Sequence, residues 1–460
     1  MPLKRAYFMD FFGECLPVAE HLQREGVDVV VSLLPDIRST ETSADGKKHE
    51  ESDDKKKRMS AFDGIVKKVT PEKMVQMVLN DKKPEEAFFF AGFNLVFEYA
   101  EQLKDCKMMG LYCTEEDRKL EVDRAAAKKF VEANYPGLEV AEEHEFSKVA
   151  DAIQFLQDTD SAWVAKGFDE SAPTSVPDSD DPEKARDDIT KKLEKNQKEF
   201  ERGGFLLEKK IANAVEITPE ALFVDGKLVA TTVDIELKKI GAGDISFLTG
   251  CSADLVFTTD PGAQINEMAF PPAVYKMAKA HKGVFIFDAS ILFDPTDGTP
   301  YFSEFCSNRA GFNCLYSELA LVGSCKEFFE ALMEHRNPYE NAPHKFASSV
   351  RVFNFKNSDG KIVTPEDADV DYDEEIQDNV WNMDVKMKGD QLVTVGADYQ
   401  LAVVTGTGDS IPSAAKDCYN NLEGFNFPNK YTRPLLDYLS KAYPGAIQKR
   451  YAYGLKNNLF

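Results

Sequence analysis

The sequence predicts an α/β and α+β chain of at least three subdomains: an open α/β domain at the N-terminus, a mixed middle region and a β-rich C-terminal domain. Three observations predict it. Apolar strand-like runs alternate with helical spacing up to about residue 118, strand runs bounded by turn residues follow Gly203 and Gly204, and β-prone runs dominate beyond Pro343. At 460 residues the chain also exceeds what one hydrophobic core usually organises.

The elements follow in order. Arg5–Phe12 is apolar and aromatic, Gly13 breaks it, Leu16–Arg24 has helical spacing and Val29–Leu34 is β-prone, which together read as a β-α-β unit. Ser39–Arg58 is almost wholly polar and charged and is expected to be an exposed insertion. A helix near Pro71–Leu79, a buried strand at Ala87–Ala91, a helix near Leu95–Leu103 and a strand at Met108–Tyr112 complete an open sheet. Helices are expected at Glu115–Ala133 and Phe146–Gln157, then the strand Ala162–Lys166, a loop over Asp169–Asp181 and a charged helix at Pro182–Phe200. Phe205–Leu207, Ala221–Val224 and Leu228–Asp234 read as a small antiparallel sheet. Val284–Phe293 and Thr299–Cys306 read as a strand pair joined by a turn at Asp294–Gly298. Ser349–Phe355, Trp381–Lys386, Gln391–Val395 and Gln400–Thr407 are the last strands, before a helix at Ser413–Leu422. The expected boundaries are 1–118, 119–345 with a lid over 162–235, 346–436 and a tail over 437–460.

Composition narrows the function. Hydrophobic residues make up 43% and charged residues 29%, the mix of a globular protein, and no apolar run approaches the roughly 18 to 20 residues that cross a bilayer. Asp10 and Glu14 interrupt the first apolar stretch and no small-residue cleavage site follows, so a cytoplasmic protein without a membrane partner is expected. The eight cysteines form no CxxC pair and the six histidines no metal spacing, which points to reduced, buried thiols and away from disulfides or zinc. A formal charge of −24 opposes nucleic acid and anionic lipid as partners and favours small-molecule chemistry.

Several residues carry candidate chemistry. Lys166 ends an apolar strand before a small-residue loop containing Ser171 and Thr174, where an ammonium can reach phosphates while the loop supplies N–H groups and hydroxyls. Glu208 ends the run Phe205–Leu207 and precedes Lys209, Lys210 and Ile211, offering a carboxylate and backbone groups to an adenine edge, while Glu216 can accept from ribose hydroxyls. Glu304 and Asn308 at a strand end, with Asp288 or Asp294 on or after the preceding strand, supply the hard oxygens magnesium prefers. Arg309 beside them can neutralise a phosphoryl group.

The order and spacing of these elements resemble an ATP-grasp enzyme. The stretches Leu392–Gly396, Leu401–Thr405, Gly406–Ser410 and Ala414–Tyr419 resemble more specifically the C-terminal domain of phosphoribosylamine-glycine ligase. Leu120–Lys128 resembles that ligase too, with Arg124 where the family has a nucleotide-contacting lysine. The resemblance implies ATP-driven joining of a carboxylate to an amine through an acyl phosphate, with ATP and Mg2+, or Mn2+ in its place, as cofactors. It assigns the nucleotide phosphates to Lys166 and Arg124 and their cover to the loop of Ser171 and Thr174. It assigns adenine to Glu208–Ile211, ribose to Glu216, the metal to Glu304, Asn308 and Asp288, and the acyl phosphate to Arg309. Thr249 and Gly250 match a Thr-Gly element of the family's substrate pocket.

Three positions depart from the family. The phosphate loop is not glycine-rich, the asparagine of the Glu-x-Asn metal pattern is displaced to Asn308, and Asp398 stands where a cation would meet a substrate phosphate. Like charge there would cost on the order of 1 kcal/mol when partly buried. The sequence is therefore read as a ligase joining an amino acid such as glycine to an amine, with the amine or the acid changed from the family's pair, acting as a monomer or homodimer. A genuine phosphoribosylamine-glycine ligase and an inactive nucleotide- or partner-binding relative are the alternatives.

Overall fold

A computed structural model describes residues 2–11, 13–34, 57–168, 174–243, 245–308, 311–354, 356–358, 361–440, 443 and 445–460. The chain divides into two compact units: Met1–Arg118, Pro219–Asp288 and Cys306–Phe460 form the first, and Lys119–Thr218 with Ala289–Phe305 the second. The expected 119–345 region is thus shared between them.

In the first unit Arg5–Asp10 lies between Asp28–Leu33 and Ala87–Ala91, all parallel, and Met109–Leu111 extends the parallel set. The Val- and Phe-rich runs are buried along nearly their whole length, as strands covered on both faces must be. The order continues into antiparallel strands, with Lys227–Gly241 beside Ile245–Thr258, then Phe346–Asn354, Gln400–Gly408 and Val380–Asn382. Helix Ile411–Glu423, opened by a capping box between Ser410 and Ser413, lies against Gln400–Gly408. A Cβ on Gly406 would stand 2.0 Å from the Cys418 backbone nitrogen, so only glycine lets the helix approach that strand.

In the second unit Phe205–Lys209 is the central strand of three, antiparallel to Glu143–Phe146 on one side and Trp163–Gly167 on the other. One face carries Trp163, Ala165, Phe205 and Leu207 into a core with Val149, Leu156, Ile189 and Phe200 from three helices. The other face carries Glu143, Val164, Lys166 and Glu208, because Glu208 is directly opposite both Glu143 and Val164 and side chains alternate along each strand.

Four expectations need correction. The helix expected over 115–133 is two, Glu115–Val122 and Arg124–Asn134, divided where Asp123 turns extended and its carboxylate accepts the Ala126 N–H. The charged helix divides at Asn196, which ends Pro182–Lys195 and precedes Gln197–Gly203. Ile245–Thr258, to which the sequence assigns no strand, is a strand of 14 residues, and the strands before it run farther than expected, over Val215–Val224 and Lys227–Gly241. The segment expected as a tail belongs to the first unit: Ile447–Lys456 is helical, the Leu459 carbonyl accepts the Ile265 N–H, and Phe460 packs edge-on against Phe257. Of the charged stretch 39–58 only Lys57 and Arg58 are within the described residues, and Ser171 and Arg309 are outside them.

Candidate functional site

The charged face of the three-stranded sheet places two carboxylates, Glu143 and Glu208, directly opposite each other. Like charges so placed repel unless cations intervene, and two lysines do. Lys166, two residues from Val164 on the neighbouring strand, donates to Glu208 Oε1 at 2.5 Å. Lys128 comes from helix Arg124–Asn134, donates to Glu208 Oε2 at 2.9 Å and also contacts Glu143. Both lysines and Glu208 are buried. Burial works against the charged form of Glu208, but Lys166 and then Lys128 outweigh it and hold the carboxyl below its ordinary range. Two cations and two anions thus compensate one another. Arg124, one helical turn before Lys128, lines a small, shallow cleft with Lys128, Glu208 and the exposed Glu304.

Other residues singled out in this unit surround different structure. Ser290 donates to Glu216 at 3.2 Å and is 2.7 Å from the Thr218 hydroxyl. Lys210 is tied to the carbonyls of Pro177 and Ser179 and to Asp180, Lys209 stands 3.7 Å from Glu142, and the Ile211 carbonyl accepts the Ala214 N–H. Beyond Thr174, Ser175 exchanges both backbone hydrogen bonds with Ala165, so the loop returns beside the strand that carries Lys166.

Asp288 and Asn308 belong to the first unit. Asp288 accepts the Cys306 N–H at 3.0 Å. Asn308 has a left-handed backbone, φ 52°, and its amide nitrogen donates to the Tyr112 carbonyl at 2.9 Å and to Asp117 at 3.0 Å. Its Oδ1 is buried without a partner among the described residues. An orphaned amide oxygen and a carboxylate are hard donors, the kind magnesium takes, so the residues present fit that ion in chemical type. Asp117 also meets His281 Nε2 at 2.9 Å. Burial acts against the imidazolium, and the bond to Asp117 overcomes it and raises the His281 pKa.

The Thr249 hydroxyl donates to the Lys238 carbonyl, and its own carbonyl accepts from Arg351 at 3.2 Å. Gly250 beside it has φ +79° with open space at its Cβ position. Arg351 is buried and fixed by Asn313 at 2.6 Å and by Gln400. Asp398 is no bare anion: one oxygen accepts the Tyr399 and Gln400 N–H groups and the other pairs with Arg58 at 2.8 Å. The argument from like-charge repulsion against a phosphate at that position therefore loses its premise.

Sequence reasoning missed Lys128, Glu143, Arg351 and Asp117. Lys128 had a usable signal, since it lies four residues after Arg124 and shares its helix face. Arg351 had none, because it interrupts an apolar strand whose burial is visible only in three dimensions.

Solved structures resemble this chain over nearly its whole length. Phosphoribosylamine-glycine ligase from Thermotoga maritima superposes with a TM-score of 0.62 at 16% identity, covering 93% of this chain and 99% of its own. The chain has the ATP-grasp fold. The biotin carboxylase domain of 2-oxoglutarate carboxylase from Hydrogenobacter thermophilus, solved with MgADP and bicarbonate, superposes with a TM-score of 0.55 at 13% identity over 100% of this chain and 99% of that one. Phosphoribosylglycinamide synthetase from Anaerococcus prevotii does so with a TM-score of 0.53 at 11% identity, over 92% and 98%. No protein-family model and no curated protein sequence matches the chain.

Proposed function

We propose that the chain is an ATP-dependent carboxylate-amine ligase that works through an acyl phosphate and releases ADP and phosphate, joining an amino acid such as glycine to an amine. The observation that carries the proposal is the convergence of Lys128 and Lys166 on Glu208, in a chain whose fold is shared with ligases and with a carboxylase domain bound to MgADP. A carboxylate between two ammonium groups keeps them buried, and a polyphosphate entering the cleft would take over their charge-assisted hydrogen bonds. Arg124 adds a third cation on the same helix. The segment Glu208–Ile211 would read adenine and Glu216 the ribose, with Ser171 and Thr174 in the loop over the phosphates and Arg309 toward the acyl phosphate. Asp288 and Asn308 in the first unit and, separately, Glu304 in the second offer candidate oxygens for magnesium, which would supply charge neutralisation on the phosphates. Thr249, Gly250 and Asp398 are the candidates for substrate contact. Catalysis would then rest on positioning and charge neutralisation, with no side-chain nucleophile.

The amine remains open to phosphoribosylamine, since Arg58 neutralises Asp398. We place the protein in the cytoplasm; among the described residues no helix is long and apolar enough to cross a membrane. The test is magnesium-dependent ADP release with glycine and phosphoribosylamine, beside a panel of other amino acids and amines. Turnover with any pair supports the ligase. Silence across the panel with MgATP still bound replaces it with a nucleotide-binding relative that has lost catalysis.

A further inference from the structure

The first unit buries a set of ligating side chains that the ligase chemistry does not use. Helix Phe312–Val322 covers one face of the antiparallel strands, with Ser317 donating to Asp254 at 2.8 Å and Glu318 accepting from Thr232 at 2.7 Å. Cys314 is one turn before Glu318, so both project to the same side of the helix. Glu220, from strand Val215–Val224, meets them there: one ligating atom from each of Glu220, Cys314 and Glu318 lies within 4.8 Å of the other two.

A second, separate observation lies beside these residues, where Asp234 is an electrostatic neighbour of both Cys314 and Glu318. Asp234 follows Thr232 by two residues on its strand and so faces the same helix. It is 3% exposed, and its Oδ1 has no hydrogen-bond partner among the described residues. Burial raises the pKa of Cys314, and the nearby carboxylates of Glu318, Glu220, Asp234 and Asp254 raise it further. On Glu220 too, burial acts most strongly and the Glu318 and Asp288 carboxylates push the same way. Carboxylates buried this deeply carry a large desolvation cost unless a proton or a metal ion compensates them.

We infer that Glu220, Cys314 and Glu318 form a buried site for a zinc-class divalent cation, with the Asp234 carboxylate beside them as a further anion. A thiolate among carboxylates selects zinc or cobalt over magnesium and calcium, which take oxygen alone. Ligand atoms on one tetrahedral zinc stand about 3.3–3.8 Å apart, so the observed spread closes with shifts of about an ångström. The Cys314 thiol and any protonated carboxyl lose their protons on binding, which makes uptake proton-releasing. The ion ties helix Phe312–Val322 to two strands and serves structure, since the site has no solvent-exposed ligand. No spacing in the sequence announces it, because Glu220 and Cys314 come from distant segments.

The test uses the full chain, stripped with a chelator and then given zinc or cobalt. The expected result is one zinc per chain by elemental analysis, a rise in melting temperature with zinc but not with magnesium, and a near-ultraviolet thiolate-to-cobalt band. Cys314→Ser and Glu318→Gln should abolish stoichiometric binding, and Cys106→Ser should leave it intact. Should either variant fail to fold, the cobalt band of the unsubstituted chain still reports whether a thiolate ligates the ion. A stripped chain that takes up no metal and shows no band overturns the proposal, as does a band that persists in folded Cys314→Ser.

Discussion

The two units bury charge in opposite ways. In the second unit Glu208 and Glu143 are matched by Lys128 and Lys166, and the network is neutral as it stands. In the first unit Glu220, Glu318, Asp234 and Asp254 are at least as buried, and on Glu220, Asp234 and Asp254 burial acts most strongly while neighbouring carboxylates push the same way. The comparison teaches that burial alone does not say what a carboxylate is for. A carboxylate that holds lysines in place is poised to give them up to a competing anion. A carboxylate cluster buried among other carboxylates is poised to take up a proton or a metal.

The largest expected effect comes from removing the shared anion. Glu208→Ala leaves two buried lysines without their common partner and should cost on the order of 3–5 kcal/mol, read as a lowered denaturant midpoint. A shift below about 1 kcal/mol would mean that the lysines find water and that the network is not the buried pair described here.

Next in size is a pH dependence of opposite sign in the two units. The Asp254 carboxyl is pushed up to about 7, first by burial, with bonds from Ser317 and Ser349 working against the shift. An acid raised in the folded state binds protons there that the unfolded chain has released. Its contribution therefore falls as pH rises from about 4 to 7, by about 1.4 kcal/mol per unit at most. Asp254→Asn in chelator-treated protein should flatten that slope in urea titrations at stepped pH. Glu208, held low by its lysines, contributes stability above the ordinary carboxylate range and loses it as pH falls through its depressed value. Glu208→Gln should remove that acid-side loss, and an unchanged profile would break the comparison.

The smallest effect belongs to the rim. Lys209 is half exposed and 3.7 Å from Glu142, so Lys209→Ala should change stability by less than about 1 kcal/mol in a denaturant titration.

How much of this was legible follows from the same physics. Ala87–Ala91 and Val284–Phe293 were readable to the residue because strands buried on both faces are continuous apolar runs. Ile245–Thr258 was not, since Thr249, Gly250, Ser252 and Asp254 make its sequence look like a loop, although Ser252 and one oxygen of Asp254 find partners far along the chain. Lys166 and Glu208 were legible as strand-end charges, but their pairing depended on the register that puts Val164 opposite Glu208. Lys128 lies in an Ala-Lys helix that reads as a solvated face, and only its spacing from Arg124 marks it. The cluster around Glu318 was invisible because no local pattern records a strand and a helix meeting.

The central claim is that the Lys128–Glu208–Lys166 network receives a nucleotide polyphosphate. Calorimetric titration of the chain with ATP and magnesium, set beside Lys166→Ala, tests it most directly. The account predicts saturable binding that weakens at least tenfold in the variant while its fold is retained. Equal binding by the two proteins, or none by the unsubstituted chain, would contradict it.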